Sequence, residues 1–188
     1  MIIKEFLQRA IGELKCIINH IKFGKNVYVG LNVKVVNIGE VALGNNVKIR
    51  PSSGIYTRLS SSRIIFEDNV EIGNHSTIAS KGLVHMGKYV LTGPHVFIAD
   101  NDHQYRDINT PVCQQGESWV DGEELHIGDG TWIGTNAVIV GNLSIGKNCV
   151  IGANSVVTKD IPDYSVAVGS PAKVVKKYNL ETKCWERV

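Results

Sequence analysis

The sequence predicts an all-β protein, a single-stranded parallel β-helix of about six triangular coils. Two observations predict this class: aliphatic side chains recur with a period of six residues, and glycine or asparagine stands at the corners between them. A period of six fits neither the 3.6-residue repeat of a helix nor the alternation of a longer strand. It fits a short flat strand followed by a corner, and three such sides close a coil of about 18 residues with the aliphatic side chains inside.

The period is cleanest in the C-terminal half of the chain. Aliphatic residues stand there at every sixth position, at Ile127, Ile133, Ile139, Ile145, Ile151 and Val157. With the same pattern upstream, coils begin near Phe23, Leu43, Phe66, Met86, Ile127 and Ile145. Asparagine suits the corners because, after glycine, it adopts positive φ most readily. A β-sandwich of short strands is the competing interpretation, but its turns would be spaced irregularly.

The segment before the repeats, residues 1–22, is predicted to be an amphipathic helix because its apolar residues fall at three-to-four spacing. Its expected role is to cap the open first coil, and a weak contact with a membrane surface is the alternative. Charged residues interrupt its apolar stretch and no small-residue cleavage site follows, so a secretory leader is not expected. The repeat domain then spans residues 23–188, and its basic segment 173–178 is predicted to form a short helix.

Composition argues against several classes of function. The chain of 188 residues carries 20 basic and 18 acidic side chains, a net charge of +2 that gives no case for nucleic-acid binding. Its apolar runs are too short to span a bilayer. Four cysteines stand too far apart for a CxxC clip, at Cys16, Cys113, Cys149 and Cys184. We therefore expect reduced thiols in a cytoplasmic protein.

One interval between coil starts is too long for a single coil. From Met86 to Ile127 the chain advances by 41 residues, which implies an insertion of about 23 residues within 100–124. The inserted segment is polar and has no period. Loops that leave a rigid scaffold commonly carry function, so we expect functional residues here.

Two segments carry a family resemblance. The stretch TWIGTNAVIVGNLSIGKNCVIGANSVVTKDIP (131–162) and the ending VAVGSPAKVVKK (166–177) resemble the hexapeptide-repeat acyltransferases, most closely the galactoside, maltose and polysaccharide O-acetyltransferases. The resemblance covers nearly all of residues 23–177. It implies a left-handed coil, a homotrimer with active sites between subunits and acetyl-CoA as co-substrate. No metal is expected, because the histidine spacing offers no pair of ligands.

The resemblance also implies a catalytic histidine at His103, where the repeats end and the loop begins. A neutral imidazole can accept the proton of an acceptor hydroxyl. Asp100, Asp102 and Glu124 are alternative partners for orienting the ring. No serine or cysteine stands in a recognisable nucleophile motif, so we expect direct transfer in a ternary complex. Candidate acceptor contacts are His85, Asn101, Asp102 and Tyr105.

Coenzyme A needs a narrow groove and basic groups for its phosphates. In the resembling enzymes the groove is lined at the positions of Thr135, Ala153, Thr158 and Lys159, and the phosphates are met at those of Lys173 and Lys176. Trp132 falls at an outward position, where a large aromatic ring favours contact with a neighbouring subunit or with the pantetheine arm.

The acceptor is expected to be a saccharide, either a small molecule or lipid-linked. The family positions that grip a galactoside carry Asn and Asp, but Gly73 and Lys81 stand there in this chain, which argues against a simple galactoside. N-acetylation of an amino sugar or nucleotide-sugar is the nearest alternative. A zinc enzyme like the γ-class carbonic anhydrases and a non-catalytic scaffold are further alternatives. Histidine spacing gives no zinc pair, and His75 and His95 are expected to stack on one corner.

Overall fold

The computed structural model describes residues 2–118 and 122–188, which form two helices and 21 strands. In chain order the elements are α1 (Ile2–Ile18), β1 (Lys22–Phe23), β2 (Tyr28–Val29), β3 (Lys34–Asn37), β4 (Glu40–Leu43), β5 (Lys48–Ile49), β6 (Gly54–Thr57), β7 (Arg63–Phe66), β8 (Glu71–Ile72), β9 (Thr77–Ser80), β10 (Leu83–Met86), β11 (Leu91–Thr92), β12 (Phe97–Ala99), α2 (Val112–Gln115), β13 (Glu124–Ile127), β14 (Trp132–Ile133), β15 (Val138–Val140), β16 (Leu143–Ile145), β17 (Val150–Ile151), β18 (Val156–Val157), β19 (Ser165–Val168), β20 (Lys173–Asn179) and β21 (Cys184–Arg187).

Every third strand joins the same sheet, so the chain winds around three faces. The first sheet has the order β1-β4-β7-β10-β13-β16, and the third has β18-β15-β12-β9-β6-β3. The second runs β2-β5-β8-β11-β14-β17-β19 and continues into β20 and β21. All pairs up to β19 are parallel, which makes a solenoid of about seven turns and confirms the predicted fold class.

The core is a column of stacked aliphatic side chains. The six residues that define the period downstream of the insertion are each 0–2% exposed. Upstream, Phe66 and Met86 fill the same inward positions, with exposures of 1% and 0%. These predicted inward residues are therefore confirmed, whereas Phe23, at the start of the first coil, is only partly buried. Burial of the column supplies the main stabilisation of the coils.

The corners use residues that tolerate positive φ. Asparagines take this conformation at Asn26, Asn32, Asn46, Asn69, Asn136, Asn148 and Asn154. His75 and His95 adopt it too, at φ of 57° and 59°, one coil apart on the same corner. Their rings are parallel with centroids 5.0 Å apart, which confirms the predicted stacking.

The N-terminal helix packs its small side chains on the first coil. Cys16 is fully buried, and a Cβ at Gly12 would lie 2.8 Å from the backbone nitrogen of Val29. The helix ends at Ile18, and Lys22, which was predicted to be helical, is the first residue of β1. No helix in the described parts of the chain has the length and apolarity needed to cross a membrane.

The C-terminal segment forms strands, so the predicted short helix is wrong. Strand β20 pairs antiparallel with β19, and β21 pairs antiparallel with β20. β-branched Val174 and Val175 favour a strand, and the last parallel strand offers an open edge with unpaired backbone groups. Pairing with that edge outweighs the helical preference of the lysines around them.

Candidate active site

The insertion leaves the solenoid between β12 and β13, close to the predicted boundaries, and its start is anchored by a buried carboxylate. Asp100 is 1% exposed. It accepts hydrogen bonds from Ser80 Oγ at 2.7 Å, from the Lys81 N–H at 2.9 Å and from the Gly82 N–H at 2.9 Å. Charge-assisted bonds of this kind are stronger than neutral ones, so the loop departs from a fixed point on the preceding coil.

The loop folds back against the outer face of the third sheet and encloses a cleft there. We call this the loop cleft. Its lining comprises Tyr56, Arg58, Thr77, Ala79, Phe97, Ala99, Asn101, Asp102, His103, Glu117 and Val140. Tyr56, Ala79, Ala99 and Val140 are opposite one another on β6, β9, β12 and β15. Two alanines between larger neighbours give the sheet a hollow at this place.

His103 is held in the cleft by its backbone. The residue forms an antiparallel bridge with Glu117, flanked by hydrogen bonds from the Gln104 N–H to the Gly116 carbonyl oxygen (3.0 Å) and from the Ser118 N–H to the Asp102 carbonyl oxygen (2.7 Å). The His103 N–H also donates to Asp102 Oδ1 at 2.8 Å. The side chain itself is exposed. The arrangement fixes the backbone of the histidine and leaves its ring accessible to a ligand.

A Lys81–Glu117 ion pair ties the far strand of this bridge to the solenoid. The Lys81 and Glu117 side chains are 20% and 29% exposed, so the pair is shielded from solvent more than the other ion pairs of the described residues. Reasoning from the sequence did not select Glu117, which lies in the aperiodic loop 36 residues from its partner. The sequence feature that could have pointed to Glu117 is its acidic side chain within a segment expected to be functional.

The three carboxylates that were expected to orient the His103 ring form hydrogen bonds with other groups. Asp100 is occupied by the anchor described above, and Asp102 accepts from the His103 backbone. Glu124 lies on the first sheet, where its Oε2 is 2.8 Å from His126 Nε2. Within the described residues, the structure therefore shows no carboxylate contact to the His103 ring.

The candidate acceptor residues are partly brought together. Asn101 and Asp102 line the loop cleft beside His103, and they also line a second cleft together with Gln104 and Arg106. Tyr105 is 72% exposed and lines neither cleft. His85 lies on the first sheet with its Nε2 3.1 Å from Glu67 Oε1, apart from both clefts.

The residues expected to bind the carrier lie on the surface of the last coils. Thr135 and Ala153 stand on adjacent coils at the corner between the second and third sheets, where the Asn154 N–H donates to the Thr135 carbonyl oxygen at 2.9 Å. Thr158 and Lys159 follow β18 and are exposed. The corner at Thr135 leads into β15, which ends at Val140 in the loop cleft. The coil that contains Thr135 and Val140 therefore connects the corner expected to bind the carrier with the loop cleft.

The remaining carrier residues lie on the outer side of the second sheet. Lys173 and Lys176 are exposed on β20. Trp132 is opposite Leu91 on one side and Val150 on the other. The Trp132 and Leu91 side chains are 50% and 45% exposed, an apolar strip on the surface of the single chain.

The two departures from the galactoside pattern have structural reasons. A Cβ at Gly73 would lie 2.2 Å from the Gly93 carbonyl oxygen, so no side chain fits at this corner. Lys81 holds the loop through Glu117. Neither position offers an amide or a carboxylate to a sugar.

Within residues 2–118 and 122–188, no group of three or more histidine, cysteine, aspartate or glutamate side chains is placed to hold a metal ion.

Comparison with known proteins agrees with the hexapeptide repeat. A family model described as bacterial transferase hexapeptide (six repeats) matches residues 125–159. A protein of Escherichia coli (strain K12), provisionally named the lipopolysaccharide biosynthesis O-acetyl transferase WbbJ, is 35% identical over 158 residues, which cover 80% of this chain and 79% of that relative.

A second relative and a solved structure extend the comparison. The galactoside O-acetyltransferase of Lactococcus lactis subsp. lactis (strain IL1403) is 30% identical over 137 residues, which cover 73% of this chain and 63% of that relative. Among solved structures, AntD, an N-acyltransferase from Bacillus cereus in complex with dTDP and 3-hydroxybutyryl-CoA, matches with a TM-score of 0.74 and 19% identity. The match covers 90% of this chain and 89% of that one, and at this identity it shows a shared fold.

Proposed function

Because the chain belongs to the bacterial hexapeptide-repeat acetyltransferases, we propose that it transfers the acetyl group of acetyl-CoA to a saccharide hydroxyl, with His103 as general base. The observation that carries the proposal is the position of His103. It lies on a loop whose backbone is fixed by the bridge to Glu117, in a cleft lined by both aromatic and polar side chains. Aromatic side chains suit the apolar faces of a sugar ring, and Asn101 and Asp102 supply hydrogen-bonding groups for its hydroxyls.

The chemistry follows from this placement. His103 accepts the proton of the acceptor hydroxyl while the oxygen attacks the thioester carbonyl carbon. The tetrahedral intermediate collapses with cleavage of the carbon–sulfur bond, and the departing thiolate takes up the proton from the imidazolium. Among the described residues that line the loop cleft there is no serine or cysteine to form an acyl-enzyme. A site that offers one base and no such nucleophile fits direct transfer within a ternary complex.

The carrier would occupy the surface of the last coils. Its pantetheine arm would pass the corner formed by Thr135 and Ala153, and its phosphates would meet Lys173 and Lys176, which offer point charges rather than a bidentate fork. The apolar strip of Leu91 and Trp132 supports a homotrimer in which a neighbouring subunit or the arm covers it, since exposed apolar strips mark interaction sites.

Transfer to oxygen is supported by the names given to the Escherichia coli and Lactococcus lactis relatives, both of which describe an O-acetyl transferase. The Bacillus cereus N-acyltransferase shares the fold at 19% identity and does not favour an amine acceptor for this chain.

The test is a coenzyme A-release assay on His103→Ala with saccharide acceptors. We expect the rate to fall by a factor of about 10² to 10⁴, the usual contribution of a general base. His126→Ala is the matched control because that ring lies on the first sheet, with its Nε2 2.8 Å from Glu124 Oε2, and its rate should stay at the wild-type level. Undiminished turnover by His103→Ala would refute the role of the histidine. Mass and NMR analysis of the product distinguishes an ester from an amide, and a product acetylated only at nitrogen would refute O-transfer.

A further inference from the structure

We propose, as an extension that rests on the function proposed above, that the loop cleft selects negatively charged saccharides and that Arg58 binds their anionic group. The shared chemistry is an oxyanion, either a phosphate or a carboxylate carried by the sugar.

Arg58 is fixed at the rim of the cleft by its neighbours. It directly follows β6, and its backbone N–H donates to the Ser80 carbonyl oxygen at 2.9 Å. Its guanidinium carbon lies 5.5 Å from the centre of the Tyr56 ring, and both side chains line the same cleft as His103. A guanidinium that lies over an aromatic face keeps the N–H groups of its edge available for an oxyanion.

Among the residues that the structure describes, no neighbouring carboxylate neutralises the positive charge of Arg58. Arg50 lies 2.6 Å from Glu71, and Arg63 lies 3.6 Å from Glu124. Arg58, in contrast, has no ion-pair partner within residues 2–118 and 122–188. An exposed arginine without a carboxylate, at the rim of a cleft, can form a bidentate contact to an incoming anion.

The charges along the cleft give a ligand one orientation. Glu117, which lines the cleft, forms an ion pair with Lys81. Asp102 lies at the end beside His103 and carries the remaining negative charge. An anionic group is therefore attracted to the Arg58 end and repelled from the Asp102 end, which leaves the other side of the sugar at the base.

The spacing of the coils fits a single charged sugar. Tyr56 is opposite Ala79 and Ala79 is opposite Ala99, so Arg58 and the Asn101–Asp102 segment are two strand spacings apart. Two spacings amount to roughly 10 Å. The two alanines form the floor between these ends. A hexose can lie over this floor with its anionic group at Arg58 and a hydroxyl at His103.

The experiment compares matched acceptors with and without a charge. Monosaccharide 1-phosphates, the corresponding uronic acids and the corresponding methyl glycosides are titrated by calorimetry into the full chain saturated with coenzyme A, and are also assayed for coenzyme A release. The variants are Arg58→Gln, Arg58→Lys and, as a control on the first sheet, Arg63→Gln.

We expect wild-type protein to bind at least one anionic class more tightly than the methyl glycosides. Arg58→Gln should weaken the binding of that class roughly 10- to 100-fold, the loss expected for a charge-assisted hydrogen bond, and should raise KM more than it lowers kcat. Arg58→Lys should recover part of the affinity, since lysine restores the positive charge but cannot form the bidentate contact of a guanidinium. Binding of the methyl glycosides and the behaviour of Arg63→Gln should stay unchanged.

Three results would overturn the inference: equal wild-type affinity for charged and neutral sugars, no change of anion affinity in Arg58→Gln, or an equal loss for both kinds of acceptor. Preference for the phosphates or for the uronic acids identifies which oxyanion is recognised. The calorimetric result does not depend on the chemical step. Retained anion selectivity with undiminished turnover by His103→Ala would therefore refute the proposed base and support the charge selection.

Discussion

The stacked repeats and the inserted loop hold their residues in place by different means. In the repeats, the same aliphatic position returns in every coil, and each side chain is buried by those of the coils above and below. The loop has no such repetition. It depends on the buried carboxylate of Asp100, on a short backbone bridge at His103 and on the Lys81–Glu117 ion pair. The difference indicates that the repeats set the stability of the molecule, whereas a few polar contacts set the geometry of its site.

The largest effect is expected for a truncation in the column. Ile133→Ala truncates a side chain that is 0% exposed and leaves a cavity in the column. The neighbouring coils are held in place by the rest of the stack and cannot close this cavity, so the free energy of unfolding should fall by about 2–5 kcal/mol. Ile108 in the loop is 93% exposed, and Ile108→Ala is the matched control, with an expected change within about 0.5 kcal/mol. Urea denaturation measures both. Equal losses for the two variants would contradict the division between scaffold and loop.

A smaller effect, and on activity rather than stability, is expected for the loop contact. Glu117→Gln removes the negative charge that pairs with the Lys81 ammonium, at a cost of about 1–3 kcal/mol to the closed loop. We expect kcat/KM to fall roughly tenfold with little change in Tm. Lys147→Met, which breaks an exposed pair with N–O distance 4.0 Å, is the control and should change neither quantity appreciably. A drop in Tm without a drop in kcat/KM would assign Glu117 to the scaffold instead.

The smallest effect is a difference in reactivity between the thiols buried in the core and the exposed thiols outside it. Burial raises the pKa of Cys16 to about 11, and burial likewise raises the pKa of Cys149. Since the thiolate is the reactive form, both buried thiols should resist iodoacetamide at about pH 8. Cys113 in the loop and Cys184 in β21 are exposed and should be alkylated readily. Mass spectrometry of the folded protein reads out all four, and rapid labelling of Cys16 or Cys149 would show that the coils open easily.

The same division explains which features could be predicted from the sequence. Inward positions such as Ile139, and the stacked corner of His75 and His95, follow from a period that fixes each residue relative to the next coil. The C-terminal strands were not predicted, because the edge of β19 that they pair with exists only in the folded solenoid. The contacts that fix the loop have no period, so the pairing of Lys81 with Glu117 could be found only in three dimensions.

The central claim is that a loop fixed by its backbone contacts places His103 beside the acceptor and beside the groove that binds coenzyme A. A crystal structure of the protein with coenzyme A bound tests it most directly. We predict that the sulfur reaches the mouth of the loop cleft, near enough for one acceptor oxygen to lie roughly 3–3.5 Å from the His103 ring and from the position of the thioester carbonyl carbon. Coenzyme A with its sulfur on another face of the solenoid, out of reach of the His103 ring of every subunit, would contradict the claim.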